Sequence, residues 1–464
     1  MTFPRVGLAP LTVLLLVGCG EASSSDAIPL RADEVVEQDA SPVGGAAEPQ
    51  AAGAPEGAET RASEAGPQAD HTPPVPDPVV IPAEPPTFER PEHVRGLYLN
   101  AWTAGSSRRV AQLIDVARRT EINSFVIDIK DASGYVSHAT GVGLAREIGA
   151  TGEIRIPDLP GLLRRLSDAG IYPIARIVIV KDPILAAARP ELAVQDTAGG
   201  VWVDGEDIRW LNMYDRGVWD YHVDLAREMV ELGFPEIQWD YVRFPDAPRS
   251  ELARADFSAS DGTTKPDAVR QFLEHSRDEL SELGVIVTAD VFGVTTSAGD
   301  VGIGQVWERF IDVVDVALPM VYPSHYWTGS FGIQEPNAYP YEVVKHALEN
   351  ALARSARVDG AGSVRPWIQA FTLGEPVYGA PEIRAQMQAG YDLGIEEWIL
   401  WNPSSRYPED ALEPVGGFET EPSIRVAGRV VPVSQREEAL RVATAEERDS
   451  TATIPAREVR PNGG

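Results

Sequence analysis

The chain has 464 residues, with 70 Asp and Glu against 40 Lys and Arg and a formal net charge of −30. That balance excludes nucleic acid as a partner, because phosphates need a basic footprint, and it excludes a basic membrane-surface patch. The length exceeds one ordinary domain, yet residues 91–412 fit a single large α/β barrel.

At the N-terminus, Arg5 precedes an apolar run from Val6 to Val17, and LVGC follows at 16–19. The run is too short to span a bilayer and has the form of a signal-peptide core. LVGC resembles the bacterial lipobox, which predicts residues 1–19 as a signal peptide ending at a lipidated Cys19, the only cysteine. Several acyl chains on one cysteine hold firmly where one does not. The mature chain then has no disulfide. Gly20 and Glu21 lack the Asp that retains lipoproteins at an inner membrane. The expected location is therefore the cell envelope, outer rather than inner membrane, facing the periplasm or exterior.

Residues 20–90 are dominated by Ala, Pro, Glu, Gly and Ser. They cannot bury enough apolar surface to offset ordering entropy, and predict a disordered linker. Its reach would be on the order of 40–50 Å. Eight β-rich runs follow: VRGLYLN from Val94, NSFVIDIK from Asn123, IYPIARIVI from Ile171, PEIQWD from Pro235, VIVTADVF from Val285, VVDVALPMVY from Val313, VRPWIQAF from Val364 and EEWILWN from Glu396. Helical patterns such as DLPGLLRRLSDAG and VWDYHVDLAREMVELG separate them, several ending in the Gly expected of a helix C-cap. The alternation predicts a closed (β/α)8 TIM barrel. A doubly wound open sheet is the alternative, weakened because no Gly-rich dinucleotide fingerprint follows the first strand. Residues 413–464 predict a mostly disordered extension, with one or two strands within FETEPSIRVAGRVVPVS.

In such a barrel the chemistry gathers at the C-terminal strand ends. The second strand delivers Asp128 and Lys130, which share a face by the two-residue period. The third carries Arg176. The fourth carries Gln238 and Asp240, with Arg243 beyond, and the fifth Thr288 and Asp290. The sixth runs into Tyr322 and His325. The seventh ends with Trp367, Gln369 and Phe371, and the eighth with Trp401 and Asn402. A single strand-end Asp is as easily a cap or a loop ion pair, and Asp128 fits a charge paired with Lys130 or Arg176 equally well. Two carboxylates on adjacent strands, Asp240 and Asp290, are harder to dismiss. Trp401 and Tyr322 fit rim packing or stacking on a sugar face.

Paired carboxylates in an aromatic-rimmed cleft suit glycoside hydrolysis, with Asp240 as nucleophile or base and Asp290 as general acid. Asp128, Lys130, Arg176, Arg243, Tyr322, His325, Gln369, Trp401 and Asn402 would bind substrate or tune charge. Competing chemistries lack their motifs. The seven histidines show no HExxH or other paired metal spacing, and neither GxSxG nor a P-loop occurs. No cofactor is implied. The implied partners are a polysaccharide or oligosaccharide and, through Cys19, a membrane.

The segments FVIDIKDASGYVSH, YPIARIVIVKDPILA, EIQWDYVRFP, VTADVFG, ALPMVYPSHYWTGSFGI, RPWIQAFT and EEWILWNPSSRY span His93 to about Tyr407. Here the chain resembles the bacterial glycosyl hydrolase-like domain family DUF4015. That resemblance implies a TIM barrel related to the α-amylase-like glycosidases. In that group a nucleophilic Asp ends strand four and the acid ends strand five, the positions of Asp240 and Asp290. The chain departs from the group in having Asp rather than Glu at 290, and Gln rather than Arg at 238. A non-catalytic carbohydrate-binding or scaffolding lipoprotein on a degenerate barrel is the rival expectation, and glycosyl transfer by the same carboxylates a third.

Overall fold

The computed structural model describes residues 77–452. Eight parallel strands form the barrel: β1 Arg95–Leu99, β2 Ser124–Lys130, β3 Tyr172–Val178, β4 Glu236–Asp240, β5 Ile286–Phe292, β6 Val316–Met320, β7 Trp367–Gln369 and β8 Trp398–Trp401. Neighbours pair in sequence order, and two contacts close the ring: β8 on β1, and β7 on β6 through Trp367 and Met320. All eight expected strands are present, and the fold is a (β/α)8 TIM barrel.

The main helices between strands are α1 Ser107–Arg119, α2 Leu159–Ala169, α3 Arg216–Leu232, α4 Lys265–Ser281, the single turn α5 Trp307–Phe310, α6 Pro340–Ser355 and α7 Ala380–Tyr391, with short helices such as Ala101–Gly105 in the connections. Their ends follow local chemistry. Asp158 caps α2 by accepting from the Gly161 amide at 2.9 Å, and Gly170 ends it in a left-handed conformation at φ 68°. Outward-facing Val, Ile and Leu of the strands meet the apolar helix faces in one large core.

Inward-facing residues form a second, smaller core of Val94, Tyr98, Val126, Tyr172, Ile174, Val316, Leu318, Tyr322, Trp367 and Ile399. The two-residue strand period sorts these positions from the outer ones. Gly96 leaves room here for Ile399, whose Cδ1 would lie 2.5 Å from a Cβ at that position. Below this core, at the N-terminal strand ends, Arg365 pairs with Glu236 at 2.6 Å and with Glu397 at 2.9 Å, and Arg90 pairs with Glu397 at 2.7 Å.

Two boundaries differ from those expected. Residues 77–90, assigned to the linker, run along the barrel instead. The Val79 amide donates to Ala139 O at 2.5 Å, and Phe88 packs against the barrel's inner core. Pro86 O lies so close to Gly233 that a Cβ there would approach to 2.7 Å. The composition is polar and Pro-rich, but one aromatic filling the open end of a barrel is enough to hold the strap. At the other end, the hairpin β9 Ser423–Val426 and β10 Arg429–Pro432 is followed by a helix, α8 Arg436–Ala452, so residues 443–452 are helical rather than irregular. Ile424 and Val426 are fully buried, and Arg425–Glu382 and Arg436–Asp392 pairs at 2.7 Å tie hairpin and helix to the α7 region. Cys19, the rest of the linker and residues 453–464 lie outside the described residues.

Candidate active site

At the C-terminal end of the barrel, β2, β3, β4 and β5 bring Asp128, Arg176, Asp240 and Asp290 to one place. The register aligns Asp128 with Arg176 and Arg176 with Gln238 across adjacent strands. Arg176 is the hub. Its Nη1 donates to Asp128 Oδ1 at 2.6 Å, and its Nε donates to Asp240 Oδ2 at 3.0 Å, with Nη2 on the same oxygen. The same Nε lies 3.8 Å from Asp290 Oδ2. The guanidinium is further enclosed by the rings of Trp401 at 5.5 Å and Tyr98 at 5.7 Å.

The three carboxylates have unequal surroundings. Asp240 Oδ1 accepts from the Tyr241 amide at 2.6 Å, adding a backbone N–H to the guanidinium donors on its other oxygen. Tyr241 holds φ at +52°, a left-handed conformation costly for an aromatic residue and of a kind concentrated at functional sites. Asp290 accepts from Trp367 Nε1 at 2.7 Å and from Gln238 Nε2 at 2.9 and 3.0 Å. These donors oppose protonation, but burial, reinforced by the charge of Asp240, outweighs them and pushes the Asp290 carboxyl well above the usual range. The assigned Gln238 amide leaves its Oε1 without a partner. Turned over, that oxygen would accept a proton carried by Asp290. Burial raises Asp128 to about 6 even though Arg176 and Tyr98 hydrogen-bond it. Tyr98 itself is raised well above its ordinary value by burial and by Asp128.

Other expected residues are placed as follows. Trp401 is half-buried, its ring 4.1 Å from that of Tyr98. Tyr322 lies in the inner core beside His325 and Phe371. His325 bonds Ser324 Oγ through Nδ1 at 3.0 Å, and burial lowers it to about 4, leaving it neutral at ordinary pH. Arg243 stacks on Phe292, Tyr241 and Trp210 and pairs with Asp246 at 2.7 Å.

Lys130 is a correction. A β-bulge opposes Asp128 to Arg176 but Lys130 to Ile177, so the two-residue period breaks between them. Lys130 turns out of the barrel, fully buried, onto Asp182 at 3.0 Å and Val178 O at 2.8 Å. Gln369 and Asn402 are also occupied elsewhere. Gln369 accepts from the Ser324 amide at 3.0 Å and donates to Phe371 O at 3.1 Å, joining the loops after β6 and β7. Asn402 donates to Ala370 O at 2.7 Å and accepts from the Ser404 amide. Both shape the rim rather than face it. Tyr98 and Trp367 were not singled out as site residues. Each sits two residues from another inward position on its strand, and that period was the available signal.

Asp240 and Asp290 are 5% and 1% exposed, so the cluster lies at the floor of the barrel mouth. Among the described residues no group of three or more His, Cys, Asp or Glu is arranged to hold a metal ion, and no helix is long and apolar enough to cross a membrane.

The family DUF4015, described as "Putative glycosyl hydrolase domain", matches residues 96–407. No curated protein matches. Among solved structures, a hypothetical protein from Ruminiclostridium thermocellum ATCC 27405 is 40% identical, covering 42% of this chain and 97% of its own, with a TM-score of 0.39. The PgaB (BpsB) glycoside hydrolase domain from Bordetella bronchiseptica is 14% identical over 68% of this chain and 95% of its own, with a TM-score of 0.48. The α-galactosidase TtGalA from Thermus thermophilus is 13% identical over 70% and 61%, with a TM-score of 0.41. The match over 96–407 takes in all eight barrel strands from Gly96 onward and every carboxylate of the site, and the chain belongs to the family DUF4015.

Proposed function

We propose that the barrel hydrolyses glycosidic bonds of an extracytoplasmic glycan. Asp240 acts as the nucleophile and Asp290 as the general acid. The observation that carries this reading is one guanidinium shared by two carboxylates in opposite environments. Both are buried, but Asp240 accepts from the Arg176 guanidinium and the Tyr241 amide, whereas Asp290 is raised well above the usual carboxylate range, by burial first and then by the charge of Asp240. A carboxyl raised in this way is the one suited to donate a proton, which gives Asp290 the acid role and leaves Asp240 the other. Both Oδ2 atoms contact the same Nε, at 3.0 and 3.8 Å, so they are no farther apart than those distances laid end to end. That ceiling accommodates the roughly 5–5.5 Å of retaining enzymes, in which Asp240 is the nucleophile, and reaches only the short end of the roughly 6.5–9.5 Å of inverting ones. Arg176 orients Asp240 for attack, and Asp128 with Tyr98 holds Arg176.

The test is release of reducing ends from a panel of envelope polysaccharides by the wild-type chain, Asp240→Asn and Asp290→Asn. Wild-type turnover that falls by roughly 10³-fold or more in each variant, with the fold intact, supports the assignment. The 1% exposure of Asp290 favours a second reading, in which the barrel binds glycan without cleaving it. Binding by a wild-type chain that releases nothing from any polymer would establish that reading instead. We further propose attachment to the envelope through lipidated Cys19. Radiolabelled palmitate should enter the wild-type chain and not Cys19→Ala; equal labelling of both would exclude it.

A further inference from the structure

We propose that Trp102 forms the platform of an outlying sugar subsite, stacking on the apolar face of a pyranose in an extended glycan; this rests on the reading of the barrel as a glycan-acting enzyme. Trp102 follows β1 by three residues, at the same C-terminal end of the barrel as the carboxylate cluster. It is 55% exposed, and among the described residues it is the one aromatic side chain so open to solvent. An aromatic of that size left uncovered forgoes a substantial hydrophobic gain. Its position is nonetheless fixed.

The short helix Ala101–Gly105 that carries it is fastened at both ends. Asn100 accepts from the Thr103 amide at 2.8 Å and donates to Pro403 O at 2.9 Å, while its own amide donates to Ser405 Oγ at 3.0 Å. Gly105 packs so tightly that a Cβ would lie 1.8 Å from Arg155 O. Arg155 supports the indole from beneath. Its guanidinium lies 5.6 Å from the Trp102 ring and 5.6 Å from the Tyr135 ring. It is itself held by Asp131, by Glu153 at 2.6 Å and by Ser133 at 3.0 Å. With two carboxylates on it, Arg155 has its charge matched and is a buttress, not an anion reader. The surface offered is therefore a rigid apolar ring, which loses little side-chain entropy on binding. Asp131 links the platform to the cleft, since its charge acts on both Asp128 and Tyr98. A subsite here, outside the carboxylate cluster, implies a substrate several sugars long.

The probe is affinity electrophoresis of full-length Asp240→Asn in native gels containing hydroxyethyl cellulose, glycol chitin, soluble starch or galactan. Retardation in at least one gel is expected, lost on adding Trp102→Ala and largely kept with Trp102→Phe. On the retarding polymer, Trp102→Ala in the otherwise wild-type chain should raise KM about 10-fold with kcat within twofold, leaving aryl monoglycosides unaffected. No retardation of the parent in any gel, or undiminished retardation of the Trp102→Ala form, overturns the subsite. Trp102-dependent retardation without hydrolysis by the wild-type chain would keep the subsite and sink the hydrolase reading. Hydrolysis of polymer unchanged by Trp102→Ala would do the reverse.

Discussion

The same barrel buries two charge clusters, one at each end, and they are built to opposite rules. At the N-terminal end, Arg365 is clamped between Glu236 and Glu397, and Arg90 brings the count to two guanidiniums for two carboxylates. At the C-terminal end, one guanidinium, Arg176, faces three carboxylates. A balanced buried cluster holds staves together without straining any group's protonation. An unbalanced one holds more carboxyls than guanidiniums, and there burial raises both Asp290 and Asp128, with the charge of Asp240 adding at Asp290 and that of Asp131 at Asp128. The difference separates a fastening from a reactive site more sharply than burial does, since Arg365 and Glu236 are as buried as Asp128 and Asp290.

Parallel substitutions at the two hubs should break that symmetry. Arg176→Met leaves three carboxylates without their cation. Activity should fall by roughly 10³-fold or more, and the loss of stability should be larger at pH 7 than at pH 5, where protonation relieves the repulsion. Arg365→Met strands Glu236, which is fully buried, and should cost about 3–5 kcal/mol of stability. In thermal unfolding and glycan hydrolysis, Arg365→Met should keep kcat within about threefold at 25 °C. If it abolished turnover in a folded protein, the division of labour between the ends would be wrong.

A smaller effect sharpens the comparison. Asp128 moves from an ordinary value of 3.8 to about 6 in the folded chain. The folded state then holds more protons than the unfolded state between those values, so Asp128 lowers stability as pH rises from about 4 to about 6. The loss is on the order of 3 kcal/mol and is constant above that window. Denaturant titrations across it should show this downward contribution in the wild-type chain, and Asp128→Asn should flatten it. An unchanged slope in the variant would mean that Asp128 is ionised throughout.

Much of this site was legible from strand pattern alone. β-Branched runs marked all eight staves, and the two-residue period carried Asp128, Arg176, Asp240, Asp290 and Trp401 to one mouth. The period failed at Lys130, because a bulge inserts a residue without any Gly or Pro to announce it. Gln369 and Asn402 were on the expected strands, but partners on neighbouring loops engage them, and no strand rule predicts loop contacts. The same blindness to tertiary partners hid the strap at 77–90 and the helix α8. The strap depends on Phe88 meeting a barrel end. The helix has few buried apolar residues, and Arg436 anchors it to Asp392.

The central claim is that burial, reinforced by the charge of Asp240, raises the Asp290 carboxyl well above the usual carboxylate range and so fits it to donate a proton. Infrared spectroscopy of the full chain resolves the carbonyl stretch of a protonated carboxyl from that of a carboxylate. At pH 7 the wild-type chain should show a buried protonated-carboxyl band that Asp290→Asn removes and Arg365→Met leaves in place. A wild-type spectrum with no such band, or one whose band survives Asp290→Asn undiminished, would contradict the account.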